Sequence, residues 1–408
     1  MTVAQHVEKK LPVAPLKIAY LEGSRPIAKQ LNSNIIKMRR QIADKDPSAQ
    51  AIAGYIENNY LLDFKLHRYG TGEGYAQILE TVRGVDLYIV ADVINYSVTY
   101  SVCGKTNHMS PDNHYQDLKR LITAVGGKAH RITVVMPFLY ESRQHKRTSR
   151  ESLDAAMAIK ELQSYGVCEI ITVDAHDPRV KTAAPLTGFD NLMPTYQFVR
   201  ALLKCCPDIN FDSNHFMVIS PDEGAMNRAV YFSNVLGADI GMFYKRRDYS
   251  RIVNGKNPIV AHEFLGASVK GKDCVIIDDM ISSGGSMLDV CKQMKERGAN
   301  RIFICTTFGL FTNGFEKFDE FYEKGMFTKI ITTNCCYQPP ELLKKPYYET
   351  ANMYKYLASV INSLNHDDSM AKIKKTSHKI SRILDKNLSG QDPSMKPILP
   401  SNQIMLDV

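Results

Sequence analysis

Short apolar runs rich in Val and Ile alternate along the chain with stretches whose apolar residues recur every three to four positions. The first pattern predicts buried strands and the second amphipathic helices. Strands are expected at Lys17–Leu21, Asp86–Val90, Arg131–Met136, Glu169–Val173, Phe216–Ile219, Asp239–Phe243, Cys274–Ile277, Arg301–Thr306 and Lys329–Thr333. Helices are expected at Ile27–Met38, Asp112–Val125, Ser152–Tyr165, Met193–Lys204, Met226–Leu236, Met287–Arg297 and Tyr347–Asn362. Gly126, Gly166, Gly237 and Gly298 follow helical runs, where a left-handed cap belongs. Strand–helix alternation over this length predicts an α/β fold with parallel sheets. Beyond Asn365 the pattern changes to a Lys-rich tail. Its apolar spacing at Ile373, Ile380, Ile383 and Leu384 suits one amphipathic helix, followed by a disordered Pro-containing end.

The 408 residues suffice for two domains, or three, and the chain reads as two similar halves with a boundary near residues 192–210. No apolar run approaches the ~20 residues of a membrane helix, and the start of the chain lacks the apolar core of a secretory leader. A cytoplasmic protein is therefore expected. The nine cysteines, with adjacent pairs at Cys205–Cys206 and Cys335–Cys336 and no CxxC, read as reduced thiols without a zinc site. A net charge of +8 suits nucleic acid or an anionic metabolite, and no nucleic-acid signature accompanies it.

The richest chemistry follows the strand Cys274–Ile277. Two carboxylates, Asp278 and Asp279, precede a small-residue turn, Ser282-Ser283-Gly284-Gly285-Ser286, and then a helical run. Loop N–H groups and a helix N-terminus can hold a phosphate, and the acids can take sugar hydroxyls or a metal. A capped βα turn is the bland account of the same residues.

Other strand ends carry similar signals. Asp222, in Ser220-Pro221-Asp222-Glu223-Gly224, is placed either to meet magnesium or to cap the helix containing Arg228. His176, between Asp174 and Asp177, is a candidate divalent-metal ligand or a structural histidine. Tyr140–Glu151 gathers four cations in one loop, suited to polyphosphate or simply solvated. Lys245-Arg246-Arg247 precedes a polar segment, Asp248–Pro258, that reads as a mobile lid whose cations neutralise a transferred phosphoryl group, or as a basic surface turn. Tyr69-Gly70-Thr71-Gly72-Glu73 is a Gly-rich turn after a short strand, and there is no P-loop.

Taken in order, these loops resemble the ribose-phosphate pyrophosphokinase family from about residue 17 to 364, with insertions near 40–60, 101–110 and 310–325. The resemblance implies two phosphoribosyltransferase-like (type I) domains, each a mostly parallel sheet flanked by helices. It implies an N-terminal extension (1–16), an ATP-contacting domain (17–195), a ribose 5-phosphate domain (196–344), a helix returning to the first domain (345–364) and a polar tail (365–408). Pyrophosphate would pass from MgATP to the anomeric hydroxyl of ribose 5-phosphate, giving phosphoribosyl pyrophosphate and AMP.

By the same resemblance Lys245 and Arg247 are the catalytic cations, and Arg143 and Gln144 contact ATP. Thr71, Gly72 and Glu73 contact ATP from a partner subunit. Asp278, Asp279, Ser282, Ser283, Gly284, Gly285 and Ser286, with Arg247, bind ribose 5-phosphate, and His176 and Asp222 meet Mg²⁺. The expected assembly is a hexamer built from dimers. Thr71 and His145 stand where the family usually has Asp, Ala225 where Gly is frequent, and Ser282–Ser286 where it reads Asp-Thr-x-Gly-Thr, which marks a divergent member. The alternatives are a non-catalytic regulatory relative, a phosphoribosyltransferase and, on charge alone, a nucleic-acid binder.

Overall fold

Strands apolar at every position can be stable only with both faces covered, the signature of parallel sheets under helices. The computed structural model describes residues 11–247, 259–374 and 376–391 and divides into two units. The first comprises the described residues to Met193, with Cys335–Tyr337 and Met353–Lys374. The second comprises Pro194–Asn334, Gln338–Asn352 and the described residues from 376 onward.

The first unit contains β1 (Leu16–Tyr20), α1 (Arg25–Ala43), β2 (Phe64–Arg68), β3 (Gly74–Ile78), β4 (Asp86–Val90), β5 (Thr99–Val102), β6 (Lys105–His108), α2 (Pro111–Val125), β7 (Arg131–Val135), α3 (Asp154–Ser164), β8 (Glu169–Val173) and β9 (Gly188–Leu192). A parallel sheet runs in the order β1-β4-β7-β8-β9. β2–β3 and β5–β6 are separate antiparallel hairpins, the second occupying the expected insertion near 101–110. α2 is stopped at both ends: Ser110 accepts a hydrogen bond from the Asn113 N–H, and Gly126 closes the helix at φ 62°.

The second unit contains α4 (Thr195–Cys205), β10 (Phe216–Ser220), α5 (Met226–Leu236), β11 (Asp239–Arg247), β12 (Ile259–Leu265), β13 (Asp273–Ile281), α6 (Gly285–Glu296), β14 (Ile302–Gly309), α7 (Glu316–Glu323), β15 (Lys329–Thr333) and β16 (Tyr348–Ala351). The sheet order is β12-β11-β10-β13-β14-β15-β16, parallel except where β12 runs against β11. Alternation sorts each central strand between two cores. Cys274, Ile276 and Ile304 pack with Met287, Cys291 and Met294 of α6. Val275, Ile277 and Phe303 pack with Phe198 and Leu202 of α4 and Phe232 of α5.

After β16 the chain returns to the first unit as α8 (Tyr354–Leu364) and α9 (Ala371–Lys374), then to the second as α10 (Ser377–Gln391). α8 packs on α1. Their contact is closed by Arg39, 1% exposed, which donates to Asn362 Oδ1 (2.9 Å), Asn365 Oδ1 (2.6 Å) and the Tyr55 carbonyl (3.2 Å). Its guanidinium also lies over the Tyr55 and Tyr60 rings, a cation–π cage. Asn365 in turn donates to Asp86 Oδ2 (2.8 Å), and Arg131 grips the Asp86 carboxylate with two donors.

Several expectations need correction. The helix expected at Tyr347–Asn362 is a strand followed by a helix that begins at Tyr354. The open edge of β15 recruits Tyr348–Ala351, and pairing overrides local helical spacing. The strand expected to stop at Phe243 runs to Arg247, so Lys245-Arg246-Arg247 are ladder residues opposite β12 rather than a turn. The strand expected to stop at Ile277 continues to Ile281. The single tail helix is two, α9 and α10, of which Ile380 and Leu384 enter the core beneath α4. The expected lid, Asp248–Pro258, and the tail end beyond Gln391 lie outside the described residues.

Candidate active site

β13 carries its two acids inside the ladder, with Asp278 opposite Thr306 of β14. Asp279 is 4% exposed, and its N–H donates to Asp278 Oδ1 (2.8 Å). Arg228, on α5 and 8% exposed, lies 3.7 Å from Asp279 Oδ2 and 4.0 Å from Asp278 Oδ1. Asp278 is half-buried beside the buried Asp279. Burial first, and then the charge of Asp279, push the Asp278 carboxyl well above the usual carboxylate range, with Arg228 opposing and Asp222 adding to the rise. Hydrogen bonds from sugar hydroxyls would favour the ionised form and relieve that penalty.

The turn after β13 is shaped for an anion. Gly284 sits at φ 82° and precedes α6 with no side-chain cap, at a helix N-terminus whose dipole favours an anion. A Cβ on Gly284 would lie 2.1 Å from Phe318 Cζ of α7, so glycine is required by space as well as by φ. Gly285 faces open space, and Ser283, Gly285 and Ser286 are exposed. The segment expected as an insertion near 310–325 supports this turn: the Thr312 N–H donates to the Ser282 carbonyl (3.0 Å), and Phe311 meets Phe318 edge-on. Arg228 and Phe318 were given no role by the sequence. Arg228 was visible as a cation one helical turn or more after Asp222; nothing local marked Phe318.

Of the two readings offered for Asp222, the structure bears on the cap. Its Oδ1 accepts the Ala225 N–H (3.2 Å) at the start of α5, and its charge reaches Asp278.

In the first unit, Gln144 follows β7 and spends its amide on its own loop, donating to the Ser152 carbonyl (2.9 Å) and the Lys146 carbonyl (3.3 Å). Arg143 is exposed. His145 packs 5.4 Å from His176, ring to ring, and its Nε2 lies 3.4 Å from Asp177 Oδ2. Asp177 is not a spare metal ligand, because it already serves its own turn. It takes the Arg179 N–H and guanidinium, and those hydrogen bonds first, with His145 adding, lower its carboxyl to about 2. A cavity of about 410 Å³ adjoins this cluster, lined by His145, Lys146, Leu153, Asp177, Arg179 and Thr182 among others.

The turn Tyr69–Glu73 is the tip of the β2–β3 hairpin, where Thr71 Oγ1 donates to Glu73 Oε2 (3.0 Å) and both residues are exposed. Lys245 and Arg247 pair opposite His262 and Ile259; their side chains lie outside what is described. His176 belongs to the first unit, and Asp222, Asp278 and Asp279 to the second.

A family model described as the N-terminal domain of ribose phosphate pyrophosphokinase matches residues 17–166, and a phosphoribosyl transferase domain model matches residues 190–344. Ribose-phosphate pyrophosphokinase A of Dictyostelium discoideum is 26% identical over 75% of this chain and 88% of its own length. The Vibrio parahaemolyticus ribose-phosphate pyrophosphokinase is 28% identical over 76% of this chain and 90% of its own. The crystal structure of phosphoribosylpyrophosphate synthetase from Mycobacterium smegmatis shares the fold, with a TM-score of 0.66 at 19% identity, covering 86% of this chain and 99% of that one. With both successive domains matched and relatives aligned along most of their length, the chain belongs to the ribose-phosphate pyrophosphokinase family.

Proposed function

We propose that the chain is an active ribose-phosphate pyrophosphokinase, transferring the diphosphate of MgATP to the anomeric hydroxyl of ribose 5-phosphate and releasing AMP. The observation that carries this is the acid pair Asp278–Asp279 of β13, followed by a helix start at Gly284 that has no side-chain cap. Asp278 and Asp279 accept the ribose hydroxyls, while N–H groups and hydroxyls of Ser282–Ser286 hold the 5-phosphate. Replacing Thr by Ser in this loop keeps each hydroxyl. Lys245, Arg247 and Arg143 supply charge to the polyphosphate, and Gln144, whose amide closes its own loop, holds the loop that contacts ATP, so positioning and neutralisation carry the reaction.

Among the described residues no three His, Cys, Asp or Glu side chains form a ready metal cage. Magnesium fits the donors that are present, since it keeps several waters and takes one or two carboxylates plus substrate phosphates. Bound with ATP it would neutralise phosphate charge, and His176 and Asp222 are each proposed as a protein ligand for it. The family reading also carries a cytoplasmic homo-oligomer of dimers. Among the described residues no helix is long and apolar enough to cross a membrane.

Purified chain given MgATP and ribose 5-phosphate should form AMP and phosphoribosyl pyrophosphate in equal amounts, read by anion-exchange chromatography. Lys245→Ala should lower turnover by about 10³-fold with an unchanged circular dichroism spectrum. Undiminished turnover in that variant removes Lys245 from its assigned role, and absence of AMP from the wild type removes the activity.

A further inference from the structure

The hairpin β5–β6 meets the turn Tyr69–Glu73 tip to tip. The Cys103 N–H donates to the Gly70 carbonyl (2.8 Å). A Cβ on Gly72, which sits at φ 93°, would lie 2.9 Å from Val102 Cγ2 and 3.6 Å from the Tyr100 ring. The backbone of the turn therefore rests directly on Val102. Arg68 closes the base: its guanidinium lies 5.0 Å from the Tyr100 ring centre and donates to the Gly72 carbonyl (3.3 Å) and to Asp117 of α2 (2.6 Å). Arg120 holds the other Asp117 oxygen (2.7 Å), so the whole assembly is tied to a capped helix.

Glycines at 70, 72 and 74 give this turn more backbone freedom than any other residues would. Alone it would spread over many shapes, and the fraction holding any one shape would be small. Yet the inner side is packed and the outer side presents Thr71 and Glu73 to solvent, hydrogen-bonded to each other. The supporting hairpin is itself held at some cost. Its two-residue turn puts Cys103 at φ 49° and Gly104 at φ 78°, a shape that favours Asn-Gly over Cys-Gly. A left-handed cysteine is tolerated here while its N–H reaches across to Gly70.

We propose that the β5–β6 hairpin is a positioning element for the donor nucleotide: Val102 and the Cys103 N–H lock the turn Tyr69–Glu73 in the shape that presents Thr71 and Glu73 to the nucleotide. The inference rests on the reading above that this turn meets ATP. Its effect is on affinity through the fraction of competent turn, because apparent affinity falls in proportion to that fraction. Turnover at saturation and the affinity for ribose 5-phosphate stay as they are.

The test uses the full chain in four forms: wild type, Val102→Ala, Val102→Ile and Cys103→Asn. Steady-state kinetics with MgATP and ribose 5-phosphate is paired with hydrogen–deuterium exchange of peptides spanning 69–73. Val102→Ala should raise KM for MgATP by about 5- to 10-fold, with kcat and KM for ribose 5-phosphate within about twofold of wild type, and should speed exchange in the turn. Val102→Ile keeps the packing, and Cys103→Asn keeps the N–H in a residue suited to positive φ, so both should match wild type in KM and exchange. Unchanged exchange in Val102→Ala overturns the buttress. Faster exchange with an unchanged KM for MgATP overturns its link to the nucleotide. If the wild type forms no AMP, the pyrophosphokinase reading falls and with it the nucleotide half of the proposal; exchange then decides the buttress alone.

Discussion

Gly284 and Gly285 are adjacent yet carry opposite constraints. Gly284→Ala imposes both a strained φ and a clash with Phe318, whereas Gly285 has nothing near its missing Cβ. Gly284→Ala is expected to cost about 2 kcal/mol or more of stability and to abolish saturation by ribose 5-phosphate; Gly285→Ala should melt like wild type, by calorimetry of both variants. Asp92 offers a pH test. It is 1% exposed and accepts the Tyr337 N–H (2.8 Å) and the Ile94 N–H (3.3 Å), and burial outweighs those bonds to push its carboxyl up to about 7. A raised folded-state value means that the native chain holds a proton the unfolded chain has released. Stability should therefore fall as pH rises from the ordinary carboxylate range through about 7, by at most about 4 kcal/mol. Asp92→Asn should flatten that slope in urea unfolding between about pH 4 and 7; matching slopes would remove Asp92 as its source. At this scale the sequence displayed Asp278–Ser286 because polar residues abutting a buried strand are conspicuous. It hid Phe318 and the commitments of Asp177, since those depend on neighbours brought in by folding.

Elements were legible where burial is two-sided and hidden where a partner decides. β4, β8 and β15 match their expected spans residue for residue, because short runs rich in β-branched and aromatic residues between polar ends read as buried strands. β16 merged with α8 in the reading, since an edge strand pairs on one side and need not look apolar. Arg39 lies on the apolar face of α1, and its destination among Asn362, Asn365, Tyr55 and Tyr60 has no local signal. That contact makes a sharp prediction. Asn365→Ala strands a donor of Arg39 in the interior and removes one of the several bonds that Asp86 accepts, and should cost about 2 kcal/mol by urea unfolding. Asn362→Ala removes one Arg39 bond and should cost less.

At the scale of the whole molecule, two α/β units were visible from alternation alone, but their interleaving was not. A cut after Met193 separates the first unit from Met353–Lys374, which carries α8. A fragment ending at Met193 should accordingly lack fixed tertiary packing, with far-ultraviolet circular dichroism retained and near-ultraviolet signal lost. A peptide of residues 353–374 added in trans should restore the near-ultraviolet signal; a well-packed fragment without it would show that α8 is dispensable. The order of the chain then dictates a schedule during synthesis. The ribosome delivers the first unit's sheet early but withholds the helix that seals α1 until nearly every other residue has been made, so the nascent first unit must wait with an uncovered apolar stripe while the second is completed. Chaperone demand should accordingly track elongation time across residues 194–352, and slow codons there should lower the soluble yield.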